Sequence, residues 1–354
     1  MSEATGEGGV DWRVDSSPSK EQEWWAKLQA EVQGYYQEAV KRAPEGLAYH
    51  TWPHTDSILA ALKNQQEHQW GMATAINSLR QKYGLPDDAR VWEALKTAAL
   101  IHDLGDIGQL EGDQVRAFEK PFTGSQRGRA EARAIEIAQH YGEKYGWDPA
   151  FTRLVVDAIA ATRYLPSLPD EEEVLIELPD SDNEPRAYRL PRELVRWVQI
   201  NDQIISYLFP PLDFRPNEAE TEAERVKKWR SHQLAGLLRE FGQYAGGANL
   251  GDFMSFLALR AEALGFDLDG IPGEALPFDR DRVRDWFKPS SEETGSDGLR
   301  SKTVADLRKQ LGQSWIGVLK KIYDDPPEDL ETYLTKILAD RHEFLNSKFA
   351  ADRQ

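Results

Sequence analysis

Val91-Trp92-Glu93-Ala94-Leu95-Lys96-Thr97-Ala98-Ala99-Leu100-Ile101-His102-Asp103-Leu104-Gly105 decides how this chain folds. Val91, Leu95 and Ala98 recur at helical spacing, and His102 continues the same face. A histidine therefore stands where an apolar residue is expected, with an acid beside it. Pro86, Asp87 and Asp88 announce the helix that carries them. Alone, such a histidine is usually a hydrogen-bonded member of a core. Its weight comes from two further intrusions of the same kind.

One lies upstream, in Tyr49-His50-Thr51-Trp52-Pro53-His54, which leads into Ile58 and Leu62. His54 precedes Ile58 by four residues and so falls on the buried stripe. The other is Asp202, within the stripe Leu194, Val198, Asp202, Ile205 and Phe209. A carboxylate there is costly unless it is protonated, paired or metal-bound. Arg163 is a candidate partner for it. Two histidines, an adjacent acid and a remote acid on separate helix faces make the donor set of a hard-to-borderline divalent ion.

The rest of the chain reads as helix around these points. Trp24, Leu28, Val32 and Tyr35 mark a first helix ended by Pro44 and Gly46. A second runs from near His54 toward Gly84, with room for a break. A fourth spans 129–145, and Asp148-Pro149 opens a fifth that reaches about Tyr164. Residues 174–178 and 186–190 flank a turn-rich segment and predict a small inserted β-hairpin. Pro191 restarts helix to about Leu208, and helices follow at 217–243 and 249–265. The expected class is all-α: a helical bundle with that hairpin and a C-terminal helical hairpin.

The expected organisation is a disordered tail at 1–20, a helical metal-binding domain at 21–266, an irregular segment and linker at 267–299, and the C-terminal hairpin at 300–354. Leu307, Leu311, Trp315, Val318 and Ile322 form a stripe on that hairpin. Such stripes usually pack within their own domain; a homodimer interface is the alternative.

Composition narrows the chemistry. The 354 residues include 60 acids against 43 Lys and Arg, a net charge of −17, with seven His and no Cys. Thiolate chemistry, disulfides and iron–sulfur clusters are excluded. Polymeric nucleic acid is disfavoured because it needs a basic footprint. No leader or membrane span is expected, so a cytoplasmic protein without a membrane partner is the default.

The quoted residues resemble the HD superfamily of metal-dependent phosphohydrolases. Its pattern is a His, then His-Asp, then a remote Asp on an all-helical core. The opening is similar to the Tyr-His-x-x-x-His of a bacterial branch and of cyclic-nucleotide phosphodiesterases, and Glu131 matches that branch weakly. The resemblance covers about 50–210, extending toward 266. It implies one divalent ion (Mn, Fe, Co, Ni, Zn or Mg) held by His54, His102, Asp103 and Asp202. It also implies hydrolysis of a small phosphorylated molecule, a nucleotide among the candidates.

By the same resemblance His50 falls where phosphodiesterases carry a general acid; a hydrogen-bonding support of the site is the equal alternative. Asp106 stands where many members have Lys or His. Arg163-Tyr164 follows Thr162 where the bacterial branch has a His, which disfavours a second metal and the diiron oxygenases of this fold. Arg127, Arg129, Arg133 and Arg163 are candidates for phosphate contact. Arg163 is the foremost, and ordinary helix ion pairs are the alternative. Trp52 either stacks on a base or packs. These departures leave a non-catalytic ligand-sensing or interaction protein as the second reading.

Overall fold

The computed structural model describes residues 20–42, 50–118, 128–163, 165, 168–179, 184–211, 261, 264–276 and 280–281. Of the segments expected at 1–20, 217–243, 249–265, 267–299 and 300–354, all but residues 20, 261, 264–265, 267–276 and 280–281 lie outside the described residues, as do Tyr49, Arg127, Tyr164, His232 and His342. Nearly all that is described is helical. Helix α1 spans Lys20–Arg42, α2 Trp52–His68, α3 Ile76–Tyr83, α4 Asp88–Ile101 and α5 Leu104–Ile107. Then come α6 (Arg129–Tyr145), α7 (Pro149–Ala160), α8 (Arg192–Ile200) and α9 (Ser206–Leu208). None of the described helices is long and apolar enough to cross a membrane.

Local chemistry sets the boundaries. The Asp87 carboxylate accepts from the Arg90 amide at 2.8 Å and caps α4. Asp148 does the same for α7 through Phe151 N at 2.8 Å, with Pro149 in the first turn. In α1 the fully buried positions are Leu28, Val32 and Tyr36; Trp24 and Tyr35 are only partly covered. The expected break after α2 is a left-handed Gln69 and a 3-10 turn, Gly71–Ala75, before α3.

The inserted hairpin is present: β3 (Glu173–Pro179) pairs antiparallel with β4 (Pro185–Pro191), Val174 opposite Leu190. Val174, Ile176 and Leu178 face inward while Leu175 points to solvent, as a half-buried strand requires. A second ribbon was not expected from sequence. It joins β1 (Gly108–Glu111) to β2 (Gln114–Ala117) through Gly112 at φ +61°. Gly112-Asp113 between Leu110 and Val115 is the local turn signal that specifies it.

One hydrophobic core runs through α2, α4, α6, α7 and α8, with Leu100, Ile101, Ile137, Phe151 and Leu194 fully buried. Gly105 allows the closest crossing. A β-carbon there would lie 1.8 Å from the Ala130 carbonyl oxygen, so only glycine lets α6 start directly against the turn that follows His102 and Asp103.

Candidate metal centre

Three chain segments deliver the polar cluster. His54 is the third residue of α2 and has no exposed surface. His102 caps the C-terminus of α4, and Asp103 follows it into α5; they are 5% and 4% exposed. Asp202 sits on a π turn, Asn201–Ile205, between α8 and α9. Single π turns inside helices often mark functional sites, because they displace one side chain from the regular helical face.

The four side chains converge. His54 Nε2 lies 3.1 Å from Asp202 Oδ1 and 3.5 Å from Asp103 Oδ2. His102 Nε2 lies 3.1 Å from Asp103 Oδ1 and 3.5 Å from Asp202 Oδ1. The ring centroids of the two histidines are 5.7 Å apart. His54, His102 and Asp103 offer donor atoms all within 4.8 Å of one another, so this buried group could hold a metal ion. His50, Asp103 and Asp106 meet the same distance condition and share Asp103.

Two observations fit the cluster to a cation. His102 Nδ1 donates to the Ala99 carbonyl at 2.8 Å, which fixes the tautomer and turns the Nε2 lone pair inward. Asp103 Oδ2 is buried and accepts no hydrogen bond among the described residues. His54, His102 and Asp103 form a mixed N/O set suited to a first-row divalent ion, and Asp202, which belongs to neither group, stands beside both histidines through Oδ1.

Without a metal, protons and charges must balance within the cluster. Burial opposes a charge on His102, but Asp103 beside it and the contact to Asp202 outweigh burial and raise it to about 9. Burial likewise works against ionised Asp103 and Asp202, yet the neighbouring histidines hold both carboxyls well below the usual range. The metal-free cluster is thus a web of ion pairs, with a proton on His102 where a cation would bind.

The remaining candidates are placed as follows. His50 Nδ1 is 3.0 Å from Asp103 Oδ1 and 4.0 Å from Asp106 Oδ2, at the outer side of the cluster. Its side chain is 25% exposed although Nδ1 itself is buried. Arg163 Nη1 stands 3.9 Å from Glu131 Oε1. Burial pushes the Glu131 carboxyl upward, against the pull of Arg163. Arg133 Nε donates to the Gly105 carbonyl at 2.8 Å, a backbone contact that differs from the helix ion pair expected as its alternative. Trp52 is 1% exposed and lies edge-on to Tyr36, so it packs. His68 and His140 belong to neither His/Asp group.

Sequence reading missed the support beneath Asp202. The Gln65 side chain donates to Asn201 Oδ1 and accepts from Met72 N at 2.7 Å. Asn201 Nδ2 donates to the Trp197 carbonyl at 2.8 Å, and Ser206 Oγ to the Asp202 carbonyl at 2.6 Å. A signal existed: Gln65 continues the stripe of Ile58 and Leu62 at spacings of four and three, so it is a polar residue on a buried face.

No protein-family model, curated protein or solved structure matches the chain. What stands is a mostly helical protein with two small antiparallel strand pairs and a buried His/Asp group able to hold a metal.

Proposed function

We propose that the chain is an HD-type, metal-dependent phosphoric ester hydrolase acting on a small phosphorylated molecule, its core unit spanning about residues 21–266. The supporting observation is that His54, His102 and Asp103 bring donor atoms within 4.8 Å of one another, with Asp202 Oδ1 at 3.1 and 3.5 Å from the two histidines. One divalent ion held there supplies Lewis acidity toward a phosphoryl oxygen and toward the attacking water.

The chain's own groups have separate tasks. The Ala99 carbonyl keeps His102 in the ligating tautomer. His50 steadies Asp103 through Nδ1. Its Nε2, the nitrogen not turned toward Asp103, would donate a proton to the departing alkoxide. Afterwards the neutral ring keeps its Nδ1 proton toward Asp103. Arg163, on the flank near Glu131, supplies positive potential for an incoming phosphate.

The test is elemental analysis of the purified chain, then a phosphoester and nucleotide screen with Mn, Fe, Co, Ni, Zn and Mg beside His102→Ala and Asp103→Ala. Stoichiometric metal and turnover, both lost in the variants, support the reading. No stoichiometric metal in the unaltered chain overturns it. Metal without turnover on any ester transfers the site to a ligand-sensing protein. Asp106 and Arg163, engaged with His50 and Glu131 where the superfamily carries other residues, favour that second reading.

A further inference from the structure

After α7 the chain makes one further tight turn. Thr162 N donates to the Ile159 carbonyl at 3.1 Å and Arg163 N to the Ala160 carbonyl at 3.2 Å. From α8 the fully buried Gln199 reaches this turn. Its Nε2 donates to the carbonyls of Ala161 at 3.1 Å and Arg163 at 2.6 Å, one for each hydrogen of the amide.

That turn carries Arg163 to the flank of the metal cluster. Thr162, the residue before it, borders the same small space as His102 and Asp202. Arg163 Nη1 stands 3.9 Å from Glu131 Oε1, too far for a hydrogen bond, so Glu131 does not hold its donors. Glu131 lies close enough to Asp202 and Asp103 to feel both charges. The left-handed Gly128 also comes near: a β-carbon built on it would lie 3.6 Å from Arg163 Cζ. The Arg163 side chain remains 27% exposed, open in part to an incoming ligand.

Gln199 stands three residues before Asp202, where α8 runs into the π turn. One buried amide therefore ties the turn that bears the cation to the segment that bears an acid of the cluster. Resting on the hydrolase reading above, we propose that Gln199 is a positioning residue that sets Arg163 beside the cluster to receive the substrate's phosphoryl oxygens. Arginine suits that task, since its planar fork matches two phosphate oxygens at once. The fork is useful only in register with the phosphate, and a turn free to shift would lose that register. A cap that merely satisfies carbonyls at the end of α7 is the simpler role.

The test uses the full chain loaded with Mn²⁺ and calorimetric titration with inorganic phosphate, in a cycle of Arg163→Met, Gln199→Met and the double variant. Arg163→Met should weaken phosphate binding about 10- to 100-fold, the loss of a charge-assisted contact. Gln199→Met should weaken it about tenfold while Arg163 is present, and not at all once Arg163 is gone. Melting temperature should drop equally in both backgrounds, and manganese stoichiometry should be retained throughout. If Gln199→Met does not fold, Gln199→Glu takes its place in the cycle; it keeps the shape and, protonated in this buried setting, one donor. Additive losses in phosphate affinity reduce Gln199 to a cap of α7 and overturn the proposal, as does an Arg163→Met variant that binds phosphate normally. The hydrolase reading stands in both cases. Manganese loss in Gln199→Met places its effect on Asp202 and likewise overturns the proposal. An unaltered chain that holds metal but no phosphate overturns the proposal alone, whereas one that takes up no metal overturns the hydrolase reading and the proposal with it.

Discussion

Titrating the metal-free protein from pH 6 to 9 offers the most direct check on the cluster. His102 rises from 6.5 to about 9 on folding, because Asp103 and Asp202 outweigh its burial. A group raised in this way stabilises the fold fully below its unfolded value, and the contribution is lost as pH climbs through the folded value. At about 1.4 kcal/mol per pH unit the rise corresponds to about 3 kcal/mol. For a domain of this size, that is a fall in Tm of roughly 6–12 °C. Asp103 and Asp202 do not oppose the trend, since both lie below their ordinary value of 3.8 and stay ionised throughout the window. A metal reverses the sign. It takes the His102 Nε2 position from the proton, so its apparent affinity should grow about tenfold per pH unit for each proton displaced, up to about pH 9. Scanning calorimetry on chelator-treated and metal-loaded protein at several pH values measures both. The metal-free Tm should fall with pH, the metal-induced increment should rise, and His102→Gln should flatten both. A metal-free Tm that holds steady or climbs between pH 6.5 and 9 would refute the assigned proton position.

Further consequences follow from particular contacts. Gln65→Leu should weaken metal binding about 10–100-fold by releasing the π turn under Asp202, with a stability loss of about 1–3 kcal/mol; metal titration and denaturant melts read the two effects. Gly105→Ala should abolish native-like near-UV circular dichroism or cost several kcal/mol, because the added carbon meets Ala130 O at 1.8 Å. Asp148→Ala should cost about 1 kcal/mol in urea unfolding through the lost α7 cap, with metal stoichiometry unchanged.

The features written locally are the ones sequence reading reached. The Asp87 and Asp148 caps act on amides three residues away, and a spacing of three and four residues identifies the buried faces of α2 and α4. His54, His102, Asp103 and Asp202 were conspicuous because each interrupts such a face, and the structure does bring the four together. The contacts that position them were less legible because they are remote in sequence. Gln65 and Asn201 are 136 positions apart, and nothing near either says they meet. The β1–β2 ribbon had its Gly112-Asp113 signal, but four-residue strands carry too little alternation to stand out beside the helices.

The charge of the chain and the character of its site point in different directions, and the difference bears on substrate choice. A net charge of −17 repels polyanions at long range, whereas a phosphate monoester carries at most two negative charges and is held by short-range contacts. Around the cluster, acids outnumber fixed cations: Asp103, Asp106, Asp202 and Glu131 stand against Arg163 and Arg133, and Arg133 is committed to the Gly105 carbonyl. Such a site lacks the fixed positive charge to clamp a triphosphate. One phosphoryl group balanced by one divalent ion suits it better, and the rest of the binding free energy then has to come from uncharged contact.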